Sequence, residues 1–248
     1  MVVIIPTYNE RENLEAIIAR VHASVPSADI LVVDDASPDG TGEVADELAR
    51  EDDRIHVLHR HGKSGLGSAY LAGFGWVLDR GYGVAVEMDA DGSHDPADLP
   101  VLLSALESAD LVLGSRWVPG AAVLNWPRSR MILSRGGNAY ARMMLGIEAR
   151  DATGGYRAYR ADTLRAIALE AVRSQGYCFQ VDLALRTYQA GLTVAEVPIT
   201  FTERTLGASK MSRAIILEAL WMVTRWGLAA RLAGSTSRRP QPVERARQ

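Results

Sequence analysis

Short runs of apolar, largely β-branched residues alternate with helical patterns along the first half of this chain. The strand candidates are Val2–Pro6, Ile30–Asp34, Ile55–His59, Val84–Met88 and Asp110–Gly114, and the helix candidates are Asn13–Val25, Thr41–Asp52, Gly67–Arg80 and Ala97–Leu106. Strands that are apolar throughout and are separated by helices predict an α/β fold, with a mostly parallel central sheet and helices on both faces. In such sheets, ligands bind beyond the carboxyl ends of the strands.

Polar clusters follow three of the predicted strands at the ends where ligands bind. Thr7–Glu10 follows the first strand, Asp34–Ser37 follows the second, and Asp89–Asp91 follows the fourth. Three acidic clusters at equivalent ends of one sheet predict a binding cleft rather than a solvated surface.

The acidic pair Asp89 and Asp91 is the strongest single indication of chemistry. In an extended chain alternate side chains point the same way, so we expect the two carboxylates to converge. Carboxylates held together repel each other unless a proton or a cation lies between them. A hard divalent ion such as Mg²⁺ or Mn²⁺ fits this ligand set and leaves positions open for phosphate oxygens.

Composition excludes several classes of protein. The chain has 248 residues, enough for one large α/β domain or two small ones, and its net charge of −3 gives no global signal for nucleic acid binding. Cys178 is the single cysteine, so no intrachain disulfide forms and a reducing cytosol is expected. No signal peptide is predicted at the start, and we expect the protein on the cytoplasmic side.

The second half of the chain is less regular. Arg116–Arg130 is a loop rich in Pro, Gly and Trp, and its length predicts an active-site lid. Further elements are predicted as helices over Ile132–Met144 and Phe179–Ala190, a strand over Thr193–Pro198, and a polar loop over Thr202–Arg213.

The stretch Ala214–Leu232 is apolar almost all the way round a helix, but Glu218, Arg225 and Arg231 interrupt it. We therefore expect no membrane-spanning helix, but a helix covered by the protein core, a dimer partner or a membrane interface. The tail Ser235–Gln248 is predicted to be disordered, and its positive charge could assist binding to anionic lipid. The predicted organisation is a catalytic domain over 1–212, this helix over 213–234, and the tail over 235–248.

Several motifs occur in an order that resembles a known family. The first set comprises Ile5-Pro-Thr-Tyr-Asn-Glu, Val33-Asp-Asp-Ala-Ser-Pro-Asp-Gly-Thr, Gly65-Leu-Gly-Ser-Ala and Met88-Asp-Ala-Asp-Gly-Ser-His. Together they resemble family 2 glycosyltransferases, which have the GT-A nucleotide-sugar-binding fold. A second set, Gly114-Ser-Arg, Arg130-Met-Ile-Leu-Ser-Arg-Gly-Gly-Asn, Asp151-Ala-Thr-Gly-Gly-Tyr-Arg and Phe201-Thr-Glu-Arg-Thr-Leu-Gly-Ala-Ser-Lys, resembles dolichyl-phosphate (polyprenyl-phosphate) mannose synthases.

The resemblance implies a set of site residues. The donor nucleotide would be bound by Pro6, Tyr8, Glu10, Val33, Asp35, Lys63, Asp89, Ala90 and Asp91, with Asp35 on the base. Asp89 and Asp91 would hold the metal, with Ser93 at a third ligand position that other family members fill with Gln or a small polar residue. Arg116, Arg130 and Ser134 would bind the acceptor phosphate. Arg204 and Lys210 would lie on a loop that closes over the diphosphate and would complete the catalytic set of Asp89, Asp91, Arg116 and Arg130.

The reaction implied by the resemblance is transfer of mannose from GDP-mannose to a polyprenyl monophosphate. We expect one in-line displacement with inversion, which needs Mg²⁺ or Mn²⁺ but no general base, since the acceptor phosphate is itself a nucleophile. Expected partners are the lipid acceptor, the membrane surface as a peripheral contact and, as in related bacterial enzymes, a separate polytopic membrane protein, but no nucleic acid. The alternatives are a polyprenyl-phosphate glucose synthase that uses UDP-glucose, and a catalytically silent nucleotide-sugar sensor or scaffold.

Overall fold

The computed structural model describes residues 1–174, 176–203 and 213–232. The strands are β1 (Val2–Thr7), β2 (Asp29–Asp34), β3 (Ile55–His59), β4 (Val84–Glu87), β5 (Leu111–Ser115), β6 (Ala122–Leu124), β7 (Arg157–Arg160), β8 (Val194–Pro198) and β9 (Thr200–Thr202). The helices are α1 (Arg11–Ser24), α2 (Thr41–Glu51), α3 (Leu66–Asp79), α4 (Leu99–Ala105), α5 (Arg128–Leu145), α6 (Ala161–Ala166), α7 (Tyr177–Gln189) and α8 (Arg213–Leu232). The predicted alternation of strands and helices in the first half is confirmed.

The central sheet has seven strands in the order β3-β2-β1-β4-β7-β5-β8. The chain lays down β1, β2 and β3 in one direction and then crosses to the other side of β1 to form β4, with parallel pairing throughout. The strand order therefore reverses between β1 and β4. At such a switch point a crevice opens beyond the carboxyl ends of the two strands, and this fold therefore places a ligand there.

Two apolar cores lie on opposite faces of this sheet. One core contains buried side chains of α1, α2 and α4, among them Leu14, Ile17, Ala45 and Leu102. The other contains side chains of α3, α6 and α7, together with single contributions from α5 and α8. Because both faces are covered, the inner strands are apolar along their whole length, which is the pattern that the sequence displays.

Strand β7 was not predicted, although it lies in the middle of the sheet. It runs antiparallel between β4 and β5. Its sequence, Arg157-Ala-Tyr-Arg, is too polar for a buried strand, yet the Arg157 side chain is fully buried. Arg157 donates to the carbonyl oxygens of Ala152, Gly154 and Gln180 at 2.6, 2.8 and 2.8 Å, and these bonds compensate its burial.

The segment Arg116–Arg130, predicted as a long loop and an active-site lid, contains regular structure. Residues within this segment form β6, which pairs in parallel with β9 in a small second sheet, and α5 begins at Arg128. Phe201 of β9 also forms an isolated bridge with His94. The segment is therefore paired with β9, and β9 in turn bridges to His94 after β4.

Helix α8 is covered on one side by the protein itself. Val223 is buried in the core, and the Tyr140 hydroxyl of α5 lies 2.6 Å from the Thr224 hydroxyl. Leu220, Trp221 and Leu228 of the same helix are exposed. None of the described helices combines the length and the apolar character that crossing a bilayer requires.

Candidate active site

The ends of β1 and β2 form one wall of the crevice. Pro6 pairs with Val33 in the register of these strands, and the Thr7 hydroxyl donates to Asp34 at 2.9 Å. Val33 is fully buried, so its side chain belongs to the core rather than to a ligand surface. The wall thus places the following residues, Tyr8 and Asp35, side by side at the mouth of the crevice.

Two cationic side chains lie at this mouth. The Lys63 ammonium is 3.8 Å from the centre of the Tyr8 ring, a cation–π contact. The Asp35 carboxylate accepts from Arg60 at 2.5 Å and from the Ser64 backbone N–H at 3.3 Å. Directly after this loop Gly65, with φ of +92°, turns the chain into α3. The corner therefore offers an aromatic ring, a carboxylate and cations within one loop cluster.

Glu10 lies at the start of α1. Its carboxylate accepts from the Asn13 side chain at 2.8 Å, and its backbone N–H donates to the Thr41 hydroxyl at 3.0 Å. These contacts tie the first loop to α2 and fix the position of Tyr8 within the mouth.

Asp89 and Asp91 follow β4, as predicted, and β4 ends at Glu87, one residue earlier than predicted. The Tyr70 hydroxyl donates to Asp89 at 3.1 Å. Asp91 accepts from the backbone N–H of Ser93 at 3.0 Å, an Asx-type turn that bends the chain locally. Ser93 is buried, and its carbonyl accepts from the Thr202 N–H at 3.2 Å, which ties the acidic turn to β9.

His94 contacts the backbone of this acidic turn. Its Nδ1 accepts from the backbone N–H of Asp89 at 3.1 Å, and its ring stacks on Tyr156 with 4.9 Å between centres. Burial lowers the pKa of His94, and the neutral ring is the form that can accept at Nδ1. Through these contacts His94 orders the acidic turn.

A second buried group precedes the turn. Glu87 is fully buried two residues before Asp89, and burial raises its pKa to about 8, against the opposing charge of Arg157. Glu87 is therefore protonated near neutral pH and adds no full negative charge next to the acidic pair.

The donor set at this turn fits a hard divalent ion. The described part of the chain holds no group of three His, Cys, Asp or Glu side chains arranged for a metal. A metal at Asp89 and Asp91 would therefore rely on two carboxylates together with oxygens from water or a substrate. Mg²⁺ is commonly bound in this way, through one or two carboxylates and substrate phosphates.

Arg116 is held in a fixed position by Asp151. The Asp151 carboxylate accepts from Nε, a terminal nitrogen and the backbone N–H of Arg116 at 2.7, 2.7 and 2.9 Å. Burial by itself raises the pKa of Asp151, but the charge and hydrogen bonds of Arg116 outweigh burial and hold this pKa below its usual value. The pair is therefore ionic, bidentate and almost completely buried.

Asn138 links this pair to helix α5. Its amide donates to the Thr153 hydroxyl at 3.0 Å, to Asp151 at 3.3 Å and to the Ser134 carbonyl at 3.0 Å. Arg130 and Ser134 lie on α5 one helical turn apart. The amide of Asn138 thus couples the helix that carries them to the loop that holds Arg116.

Arg130 forms an ion pair with Glu203, and both side chains are about a quarter exposed. The Arg130 guanidinium also stacks on Trp126, 4.1 Å from the ring centre, and Arg116 lies 5.3 Å from the same ring. Trp126 therefore lies between the two arginines that the sequence assigned to an acceptor phosphate.

The acidic turn adjoins the arginine cluster, which is formed by Arg116 and Arg130. Phe201 contacts His94 on one side and Trp126 on the other, with ring centres 5.7 and 5.3 Å apart. Ala90, Asp91 and Glu203 line a common cleft with Asn13 and Arg20. The structure thus brings together the predicted metal and acceptor residues, whereas Arg204 and Lys210 lie outside the described residues.

Sequence reasoning missed the roles of Asp151, Asn138, Trp126, Phe201 and Glu203. Four of them lie inside motifs that had been recognised, but no role was attached to them. Asp151 begins one of the recognised motifs, but nothing in the sequence marks it as the partner of Arg116. The packing of Trp126 was not foreseeable either, because it depends on the small sheet of β6 and β9.

Comparison with known proteins identifies the family that the sequence motifs resemble. The family model described as glycosyl transferase family 2 matches residues 2–168. An undecaprenyl-phosphate mannosyltransferase of Micrococcus luteus is 60% identical over 95% of this chain and 97% of its own length. A polyprenol monophosphomannose synthase of Mycolicibacterium smegmatis is also 60% identical, over 93% of this chain and 88% of its own.

Solved structures share the fold at low sequence identity. Glucosyl-3-phosphoglycerate synthase of Mycobacterium tuberculosis, solved with Mn²⁺ and UDP, aligns with a TM-score of 0.60 and 21% identity over 94% of this chain and 78% of its own. A mannosyltransferase of Pyrobaculum calidifontis, solved with GDP-mannose and Mn²⁺, aligns with a TM-score of 0.54 and 16% identity over 96% of this chain and 75% of its own. With its GT-A-like sheet, its acidic turn at the switch point and its family match, the chain belongs to glycosyl transferase family 2.

Proposed function

We propose that this protein transfers mannose from GDP-mannose to a polyprenyl monophosphate, giving polyprenyl phosphate mannose and GDP. The observation that carries the proposal is the juxtaposition of the acidic turn with the two arginines on either side of Trp126. Such a site can hold two phosphate groups, one from the donor and one from the acceptor. Two relatives that are 60% identical along almost the whole chain are named for mannose transfer to a polyprenyl phosphate, which supports this choice of substrates.

The donor nucleotide is assigned to the mouth formed after β1 and β2. Pro6, Tyr8 and Glu10 belong to one wall of this mouth. Lys63 is assigned to a phosphate of the donor. Asp35 can accept hydrogen bonds from the edge of a guanine base. Ala90 is buried in the acidic turn and allows the backbone to approach the diphosphate.

The acceptor phosphate is assigned to Arg116, Arg130 and Ser134. A phosphate monoester carries about −1.5 to −2 charge near neutral pH, so its oxygen attacks without a general base. The oxygen forms a bond to the anomeric carbon while the bond from that carbon to GDP breaks, and the electron pair leaves with GDP. Arginine forks hold the attacking phosphate in line and reduce its repulsion from the donor.

Asp89 and Asp91, with Ser93 as a candidate third ligand, are assigned to a divalent ion, Mg²⁺ or Mn²⁺. When bound, such an ion neutralises charge that develops on the departing diphosphate. Arg204 and Lys210 are assigned to the same leaving group. Tyr70 and His94 keep the Asp89 carboxylate and its backbone in place.

The membrane is the proposed location of the acceptor. Ile132, Leu133 and Met143 of α5 are exposed, as are Leu220, Trp221 and Leu228 of α8, which packs on α5. Exposed Arg135, Arg142 and Arg225 accompany these apolar side chains. Apolar and cationic side chains together suit an anionic lipid surface on the cytoplasmic face. We infer a catalytic unit over 1–212, with 213–234 as a peripheral membrane contact or a contact for a polytopic membrane protein, and a basic tail over 235–248.

A transfer assay with a panel of donors and acceptors tests this function. Purified protein receives a short polyprenyl phosphate with Mg²⁺ or Mn²⁺ and either labelled GDP-mannose or labelled UDP-glucose. Label is expected in the organic phase from GDP-mannose alone, and EDTA should abolish it. Transfer from UDP-glucose alone would overturn the choice of sugar, and nucleotide binding without transfer would favour the sensor alternative.

A further inference from the structure

Three buried hydrogen-bond donors, one on Arg130 and two beside it, have no partner among the described residues. They are Nε1 of Trp117, Nε1 of Trp126 and Nε of Arg130. Indole and guanidinium groups only donate, so none of the three can satisfy another. Buried donors without an acceptor are rare in native proteins and unfavourable, which indicates a ligand that supplies acceptors.

The three donors belong to one aromatic and cationic cluster. The rings of Trp117 and Trp126 lie 6.3 Å apart, and the Trp126 ring is 4.1 Å from the Arg130 guanidinium and 5.3 Å from that of Arg116. Phe201 meets the Trp126 ring edge-on at 5.3 Å and limits its rotation. The indole of Trp126 therefore has a fixed orientation between two cations.

Carboxylates satisfy this cluster only in part. Asp151 is committed to Arg116 through two side-chain hydrogen bonds and lies fully buried behind it. Glu203 pairs with Arg130 through one carboxylate oxygen, and its other oxygen is buried without a partner among the described residues. Arg130 therefore carries a single carboxylate that a group with more acceptor oxygens can replace.

A phosphate monoester has the chemistry that this cluster lacks. Its three terminal oxygens accept several hydrogen bonds at once and carry negative charge that can replace Glu203 on Arg130. A sugar hydroxyl can accept from an indole N–H but brings no charge to replace Glu203, and an isoprenoid chain brings no acceptor at all.

We propose that Trp126, assisted by Trp117, donates its indole N–H to the phosphate of the acceptor, and that Glu203 occupies part of the same site until the phosphate displaces it. This inference rests on the proposed function and adds neutral donors and a competing carboxylate to the arginines. Trp126 is thus a substrate-binding residue, and Glu203 tunes the affinity for the acceptor.

Trp126→Phe tests the donor, because phenylalanine keeps an aromatic face for Arg130 and removes the N–H together with the five-membered ring that carries it. We expect the KM for a short polyprenyl phosphate to rise about tenfold, the loss of one hydrogen bond to a charged group, with little change in the KM for GDP-mannose. Trp76→Phe is the matched control, since the Trp76 ring lies 4.1 Å from Arg80, outside the site. Its KM values should equal those of the wild type.

Glu203→Gln tests the competition between Glu203 and the acceptor phosphate for Arg130. It should change the KM in the opposite direction to Trp126→Phe. Removal of the carboxylate charge should lower the KM for the polyprenyl phosphate by about threefold, since Arg130 no longer has to exchange one anion for another. Calorimetric binding of the same lipid phosphate, compared with the uncharged polyprenol, supplies a readout that does not depend on turnover.

Arg130→Ala separates this inference from the function on which it rests. If Arg130→Ala raises the KM for the lipid phosphate while Trp126→Phe leaves it unchanged, the indole assignment is wrong and the proposed function stands. If the wild type neither binds nor mannosylates polyprenyl phosphate, the proposed function itself fails. An unchanged or raised KM in Glu203→Gln would overturn the competing role of the carboxylate.

Discussion

Two carboxylates pair with Arg116 and Arg130, the arginines proposed to bind the acceptor phosphate, but their surroundings give the two pairs different properties. Asp151 is fully buried and binds Arg116 at two side-chain nitrogens. Glu203 is about a quarter exposed and binds Arg130 at one nitrogen. A buried bidentate pair is costly to separate, whereas solvent compensates the loss of a partly exposed one. Arg116 is therefore fixed before substrate arrives, and Arg130 is the arginine that can exchange its partner.

Asp151→Asn should destabilise the protein by about 3 kcal/mol or more at pH 7, because Arg116 would be left buried without a counter-charge. The low pKa of Asp151 means that its contribution is present above the unfolded-state pKa of about 3.9 and is lost as pH falls through the folded-state value. Urea unfolding of both proteins between pH 7 and pH 3 measures this. The difference between them should shrink towards pH 3, and a constant difference would contradict the ionic account.

Asp91→Ala should reduce mannose transfer more than about a hundredfold, since loss of a direct metal ligand costs more than loss of an outer partner. The fold should survive, because Asp91 lies on a turn at the edge of the cleft. Asp53→Ala, at an exposed acid far from the site, serves as the control. Circular dichroism and the transfer assay are compared for both variants, and near-normal turnover of Asp91→Ala would refute the metal assignment.

At the scale of elements, the sequence predicted the parallel part of the fold and missed β7, β6 and β9. The predicted strands are apolar because both faces of the sheet are covered, and that pattern is visible locally. The polarity of β7 is explained by carbonyl groups of residues 152, 154 and 180, which are its partners only after folding. Short strands such as β6 and β9 depend on each other across the chain, so no local pattern marks them.

The candidate site, like the fold, was predicted only in part from the sequence. The positions of Asp89, Asp91, Arg116 and Arg130 follow from strand ends and from motifs. The contacts that fix them, such as Asp151 on Arg116 and the Trp126 ring on Arg130, join segments that are distant in sequence. Sequence alone therefore identified the candidate residues but not the contacts that hold them in place.

Gly227→Ala tests the packing of α8 on α5. A Cβ at Gly227 would lie 2.6 Å from the Met144 carbonyl oxygen, and the helices would have to move apart. We expect a loss of about 1–3 kcal/mol in the free energy of unfolding. Gly75→Ala in α3 is the matched control, because a Cβ at Gly75 would meet no atom within 4 Å, and this change should be neutral or stabilising by up to about 1 kcal/mol. Equal effects in denaturant titrations would show that α8 does not pack this closely.

At the scale of the whole molecule, different surfaces have different proposed roles. The switch point is proposed to bind the donor, and the exposed faces of α5 and α8 are proposed to contact lipid. The acidic turn and the mouth of the crevice lie at the carboxyl ends of β1, β2 and β4, where this sheet topology opens the crevice. The arginine cluster adjoins the start of α5, the helix whose exposed side chains include Ile132 and Met143. An acceptor with its phosphate at Arg130 and its chain along α5 can remain in a lipid surface.

Trp221→Ser with Leu228→Ser tests this orientation. The double variant should bind vesicles of phosphatidylglycerol and phosphatidylcholine several-fold more weakly, since burial of two large apolar side chains contributes about 1.5–3 kcal/mol each at most. Its affinity for GDP should not change. Val101→Ser, at an exposed apolar side chain of α4, is the control. Unchanged sedimentation of the double variant with vesicles would remove α8 from the membrane contact.

The most direct test of the central claim is the structure of the product. NMR of the lipid formed from GDP-α-mannose and a short polyprenyl phosphate identifies both the linkage and the anomeric configuration. We expect one mannose joined through its anomeric carbon to the phosphate, in the β configuration that a single displacement gives. An α-linked product, or mannose attached anywhere other than the phosphate, would contradict this expectation.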